Sequence, residues 1–194
     1  VLADVTSPDD LTISVADVER KITPRTKAVV PVHYAGQPAA LEALRAVCAP
    51  RGIAIVEDVA HAPLGDALMG GKPVALGTIG AVGCFSFFSN KNMATGEGGM
   101  VVTRDPSLAD RLRLLRSHGM TTLTLDRHKG HAYTYDVVDL GFNYRMDEMR
   151  AALGLSQLAR LPERNLRRAE VVAGYVARLR TVPGVQVPFA DRLP

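Results

Sequence analysis

Residues 27–58 read KAVVPVHYAGQPAALEALRAVCAPRGIAIVED. The opening run, 27–32, is short, apolar and rich in β-branched residues, and reads as a buried strand. Pro38 then opens a helix over 39–49 that places Leu41, Leu44 and Val47 on one face. Arg51 and Gly52 stop it, and Ile53-Ala54-Ile55-Val56 forms the next buried strand. Strand, helix and strand in so short a span make a βαβ unit. That unit demands a parallel sheet with a right-handed crossover, so the expected fold class is α/β.

In open sheets of this kind, ligands bind beyond the carboxyl ends of the strands. The second strand runs into Glu57-Asp58-Val59-Ala60-His61-Ala62. Asp58 and His61 therefore fall where chemistry is usually found. The plainer alternative is that Asp58 caps a turn and His61 is an ordinary loop histidine.

The same layout recurs downstream in residues 84–100, CFSFFSNKNMATGEGGM. A strand over 81–88 carries Ser86 and delivers Lys91 into a polar turn. Gly96-Glu97-Gly98-Gly99 then leads into a strand over 99–103. A lysine beside such permissive backbone can hold an anion as a point charge, or attack an aldehyde. A solvated loop lysine is the bland reading. Taken with Asp58, however, Lys91 suits a pyridoxal phosphate site. That cofactor needs an amine for its aldehyde, a carboxylate beside its ring nitrogen, and hydroxyls or N–H groups for its phosphate. Ser86 and the glycine-rich turn are within reach of the last task by sequence.

Elsewhere the chain reads as follows. Residues 1–4 resemble the end of a strand. Residues 9–23 form a short helix with Ser14 as N-cap and Val15, Val18 and Ile22 at helical spacing. Glycines crowd 64–80, with a tight turn at Met69-Gly70-Gly71-Lys72-Pro73. A helix over 106–117 buries Leu108, Leu112 and Leu115 and stops at His118-Gly119. Residues 120–137 have no period. Their His128, Lys129 and His131, among Tyr133 and Tyr135, lack metal-ligand spacing and read as a loop that moves or meets a partner. A helix from 147 breaks at Leu161-Pro162, a second follows over 163–179, and Val185-Gln186-Val187 is strand-like.

Composition narrows the class. With 47% hydrophobic and 22% charged residues among 194, the chain is globular. A net charge of +3, without a basic run interleaved with aromatics, points away from nucleic acid. The arginines at 160–168 and 178–180 read as a solvated face. No apolar stretch is long enough to span a bilayer and no signal peptide is visible, so no membrane partner is expected. Two isolated cysteines, Cys48 and Cys84, suit the reducing cytoplasm. The chain opens without an initiator methionine, in what reads as a strand end, and is expected to be an internal fragment.

The stretches EDVAHA, FSFFSNKNMATGEGG and LGFNYRMDEMRAALGLSQL resemble the DegT/DnrJ/EryC1/StrS family of sugar aminotransferases, and ITPRTKAVVPVHYAGQP is similar to the same family. The resemblance covers about residues 4 to 188. It implies a fold-type-I pyridoxal phosphate enzyme, with a mostly parallel sheet, helices on both faces and a smaller C-terminal domain. Residues 1–161 would be part of the large domain, and 162–194 the interdomain helix and the start of the small one. The implied reaction moves an amino group, with glutamate as donor, onto a nucleotide-linked keto-sugar for amino-sugar biosynthesis.

By the same resemblance, Lys91 would hold the cofactor's aldehyde and shuttle the proton. Asp58 would pair with the ring nitrogen, His61 would lie near the ring hydroxyl, and Ser86 would bind the phosphate. Asn143 would reach the phosphate of the partner subunit in a homodimer with shared active sites. Phe88-Ser89-Asn90, before the lysine, departs from the residues many members carry. The family's N-terminal phosphate loop and ring-stacking aromatic are not in this sequence. Relatives that act as dehydratases carry histidine in place of the lysine. A dehydratase, a non-catalytic ligand-binding regulator of the same fold, and a nucleotide module built on the GEGG turn are the rival readings. That turn lacks the P-loop ending.

Overall fold

The computed structural model describes residues 1–121 and 135–192. His128, Lys129, His131 and Tyr133 lie outside them. The centre is a four-stranded sheet in the order β3-β4-β7-β8, built from β3 (Ala28–Val29), β4 (Ala54–Asp58), β7 (Val82–Ser86) and β8 (Gly99–Val102). β3, β4 and β7 are parallel, and β8 returns antiparallel to β7. The α/β, mostly parallel expectation therefore holds. Between β3 and β4 lies α2 (Leu41–Cys48). Its Leu41, Leu44 and Cys48 pack with Ile53, Ile55 and Val59 in the larger core cluster. Leu44 is fully buried, and truncating it to alanine should cost about 2–5 kcal/mol.

β3 is shorter than the expected strand. Pro31 has no N–H to give the ladder, which stops at Val29. The chain still runs beside β4. Asp58 N–H donates to the Pro31 carbonyl at 2.9 Å, and His33 N–H to the Asp58 carbonyl at 3.0 Å. The helix expected over 9–23 is also shorter. Residues Asp10–Ile13 are β2, paired antiparallel with β1 (Val5–Ser7). Ser7 Oγ accepts from the N–H groups of Asp9 and Asp10 and closes that turn. α1 (Val15–Lys21) follows, with Ser14 as its N-cap as expected. The tight turn at 69–72 joins β5 (Asp66–Met69) to β6 (Lys72–Ala75). Residues 1–4 and 185–187 are irregular rather than strand.

The expected break at Pro162 is absent. After α3 (Pro106–Leu115), one helix, α4, runs Glu148–Leu179 with Pro162 inside it. An internal proline removes a helical hydrogen bond at a cost of about 3 kcal/mol. Here packing on the preceding turns offsets it. Leu161 is 1% exposed and joins Phe87 and Met93 in a second core cluster. About two turns earlier, a Cβ on Gly154 would lie 3.3 Å from Thr95 Cγ2. α4 is thus seated on the turns between β7 and β8, and the chain continues as helix past the proline.

Candidate active site

Alternation along β4 sorts its side chains. Ile55, Glu57 and Val59 are buried on the α2 side, while Val56 and Asp58 face the other way. The β4–β7 register sets Asp58 beside Cys84. Ser86, two residues on, shares that face. Val30, Val56, Asp58, Ala60, Cys84 and Ser86 line a cavity of about 260 Å³. One Asp58 oxygen accepts from Ala60 N–H at 3.0 Å, so the residue does cap its turn. The other oxygen has no partner among the described residues. Burial pushes the Cys84 thiol above its ordinary value, and the Asp58 charge beside it adds to the rise. Ser86 Oγ accepts weakly from Phe88 N–H at 3.4 Å, which leaves its O–H free to donate.

A second cavity, of about 480 Å³, shares the lining residue Ala60 with the first. Lys91 and His61 line it. The turn that presents Lys91 is closed by its own N–H on the Phe88 carbonyl at 3.0 Å. The Lys91 amine has no ion-pair or hydrogen-bond partner among the described residues. His61 stands edge-on to Tyr34, with ring centroids 5.8 Å apart, and its Nδ1 accepts from Ala35 N–H at 3.4 Å. No aspartate or glutamate lines this cavity.

Four of the five residues singled out in the sequence therefore gather at two adjoining cavities beyond the strand ends. Asn143 does not. It is exposed, bridged to Ser117, and lines neither cavity. The glycine-rich turn also stays away. A Cβ on Gly98 would lie 2.7 Å from Thr95 Oγ1 and 2.8 Å from Met146 Cε, so the glycine serves close packing.

Two features go beyond the sequence reading. The first is Glu57, fully buried beside fully buried His33. Its carboxylate accepts from the N–H groups of Gly77, Ile79 and Gly80 at 2.6–2.7 Å. His33 Nδ1 accepts from Ala39 N–H at 3.1 Å, so the ring proton sits on Nε2 and points to Glu57 at 3.2 Å. Burial pushes the Glu57 carboxyl up, but the bonds from His33 and the three amides hold it below its usual value. Parity could have found it: Glu57 shares the inward phase of Ile55 and Val59. The second is Arg168, with Asn165. The arginine cluster reads as solvated, yet both residues line the Lys91 cavity, because α4 does not stop at Pro162.

The donors and acceptors fit pyridoxal phosphate. The amine of Lys91 is unpaired, Asp58 keeps one free oxygen for a ring N–H, and Ser86 keeps one O–H for a phosphate oxygen.

A match to the DegT/DnrJ/EryC1/StrS aminotransferase family spans residues 1–192. SpsC of Bacillus subtilis, a spore coat polysaccharide biosynthesis protein, is 40% identical over 190 residues, which are 97% of this chain and 48% of SpsC. The solved structure of S. venezuelae DesV with a ketimine intermediate is 38% identical with a TM-score of 0.80, over 97% of this chain and 48% of DesV. DesI, solved in the presence of its TDP-sugar product, is 37% identical with a TM-score of 0.76, over 99% and 45%. The chain spans about half the length of these relatives. Such neighbours put its mixed sheet in the fold-type-I class. The chain belongs to the DegT/DnrJ/EryC1/StrS aminotransferase family.

Proposed function

We propose that this chain forms the lysine-bearing part of a sugar aminotransferase that moves an amino group from glutamate to a nucleotide-linked keto-sugar. The observation that carries this is that a cavity with an unpaired lysine and a cavity with a half-paired aspartate share Ala60 as a lining residue. Pyridoxal phosphate is the family's cofactor; bound here it supplies an aldehyde and an electron-withdrawing ring. Lys91 holds that aldehyde and carries the proton at Nζ. Asp58 accepts from the ring N–H through its free oxygen and keeps the ring protonated. Ser86 donates to the phosphate. His61, with Nδ1 engaged by Ala35, offers its Nε2 edge to the ring hydroxyl. SpsC's place in polysaccharide biosynthesis and DesI's TDP-sugar product support a sugar-nucleotide substrate.

Assembly belongs to the same reading. Asn143 sits between exposed Phe142 and Tyr144, whose rings stack at 5.0 Å, near Leu140 at 81% exposure. So much uncovered apolar surface favours an isologous dimer in which Asn143 serves the partner's phosphate site. Residues 1–161 then act as part of the cofactor-binding domain and 162–194 lead towards the small one, along a helix continuous through the boundary. No described helix is long and apolar enough to cross a membrane, and with two free cysteines we place the enzyme in the cytoplasm.

The test is borohydride reduction of the intact protein with pyridoxal phosphate, then peptide mapping. The pyridoxyl mass belongs on Lys91; finding it on Lys72 instead would overturn the assignment. Glutamate-dependent amination of 3-keto- and 4-keto-sugar nucleotides tests the substrate class. Mixing inactive Lys91→Ala and Asn143→Ala proteins should restore activity on subunit exchange, and no recovery after demonstrated exchange would remove Asn143 from a shared site.

A further inference from the structure

The two turns that carry Lys91 and His61 belong to different strand ends, and one side-chain relay from α4 joins them. Arg168 Nη2 donates to the carbonyl of Asn92, next to Lys91, at 3.1 Å. Arg168 Nη1 donates to Asn165 Oδ1 at 3.1 Å. Asn165 Nδ2 in turn donates to the carbonyl of Pro63, two residues after His61, at 3.2 Å. Arg168 has no carboxylate partner among the described residues, so its fork is spent on the relay. The His61 end is also strained. Leu64, directly after Pro63, has φ +65°, a conformation that persists in a leucine only when its surroundings enforce it. A guanidinium fork suits this task because it is planar and can serve two acceptors at once; an ammonium cannot match that geometry.

We infer that Arg168 and Asn165 are a positioning pair, which holds the Lys91 turn against the His61 turn and so sets where the amine stands relative to the ring edge. The inference rests on the proposed function for its catalytic meaning, but the relay can be tested without cofactor.

Hydrogen exchange of the intact protein, free of cofactor, reads the two turns through the amides of Lys91 and Thr95 on one side and Ala62 and Gly65 on the other, each hydrogen-bonded within its turn. Arg168→Met should speed exchange in both sets roughly tenfold. Asn165→Asp keeps an acceptor for Arg168 but loses the donor to Pro63, so it should speed only Ala62 and Gly65. Arg168→Lys should behave as Arg168→Met does. Amides in residues 152–161 of α4 should not change. Acceleration spread along α4, or none at the turns, would overturn the relay, and Asn165→Asp decides the matter if Arg168→Met fails to fold. A second readout is the yield of borohydride-trapped pyridoxyl on Lys91 at limiting cofactor, which should fall at least severalfold in Arg168→Met. If the wild-type protein traps none on Lys91, the functional reading fails while the exchange result stands. If it traps normally and every variant matches it, the positioning role fails.

Discussion

Glu57 and Asp58 are neighbours on one strand, carry the same functional group, and live in opposite surroundings. Glu57 points into the α2 side, with no exposed surface and four donors converging on it. Asp58 points across the sheet into an open cavity and holds a single backbone donor. A buried carboxylate costs free energy unless its lone pairs are filled, and Glu57 meets that condition. Asp58 does not, which makes it available to a ligand. The two-residue repeat of a strand thus separates a fully paired acid from a half-paired one with no change of residue class.

The most forceful way to sharpen this contrast is Asp58→Asn. Loss of the charge proposed to keep the ring protonated should lower turnover roughly 1,000-fold in the intact enzyme, with little change in thermal stability. Near-normal turnover with cofactor bound would remove Asp58 from its role. Glu57→Gln should do the reverse. Its amide NH2 would face N–H groups, and unfolding free energy should drop by about 3 kcal/mol, read by denaturant titration.

The pH dependence follows from the same group. The folded Glu57 sits below the ordinary 4.5, so its contribution is full above that value and is lost as pH falls through the folded one. The stability gap between wild type and Glu57→Gln should therefore narrow as pH drops below 4.5. A gap that stayed constant would mean that the carboxylate charge is not what the donors hold.

Gly83→Ala strikes the Glu57 side from the neighbouring strand. A Cβ there would lie 2.3 Å from Gly77 Cα, and Gly77 donates to Glu57. We expect a loss of about 2 kcal/mol without direct damage to the Asp58 cavity. The smallest effect is expected at Cys84. Burial and, after it, the Asp58 charge hold its thiol up, so Asp58→Asn should lower that value somewhat and enlarge the thiolate fraction. Alkylation of Cys84 near neutral pH should then quicken about two- to threefold. An unchanged rate would mean that Asp58 carries little charge at the Cys84 side.

Asp58 and Lys91 are legible in the sequence because each follows an apolar run that ends in polar residues, a purely local signal. α2 is legible for a similar reason, since Leu41 and Leu44 recur at helical spacing, although the third buried position is Cys48 and not the expected Val47. Glu57 is legible only as an inward-phased acid. Its partners, His33 and Gly77, lie 24 and 20 residues away and meet it only in the folded sheet. Pro162 misleads because its local cost is real, while the packing that offsets it, Leu161 on Phe87 and Met93, is long-range. Arg168 is hidden because the arginines at 160–168 read as a solvated face at helical spacing, and its reach to Asn92 is a contact 76 residues away in sequence. The hairpin at residues 5–13 depends on one serine side chain closing its turn, which no periodicity records.

α4 can also be read as a mechanical part. Seated at Leu161, it extends about 10 Å onward to Arg168 and about 27 Å to Leu179, at a helical rise of 1.5 Å per residue. A tilt about that fulcrum moving Leu179 by about 1 Å would carry Arg168 by about 0.4 Å. Any such tilt would reach the turn bearing Lys91 geared down, and Val176, buried near the outer end, would resist it. Pro162, with one rung missing from the hydrogen-bond ladder, stands beside the fulcrum, where the bending moment on such a lever is greatest.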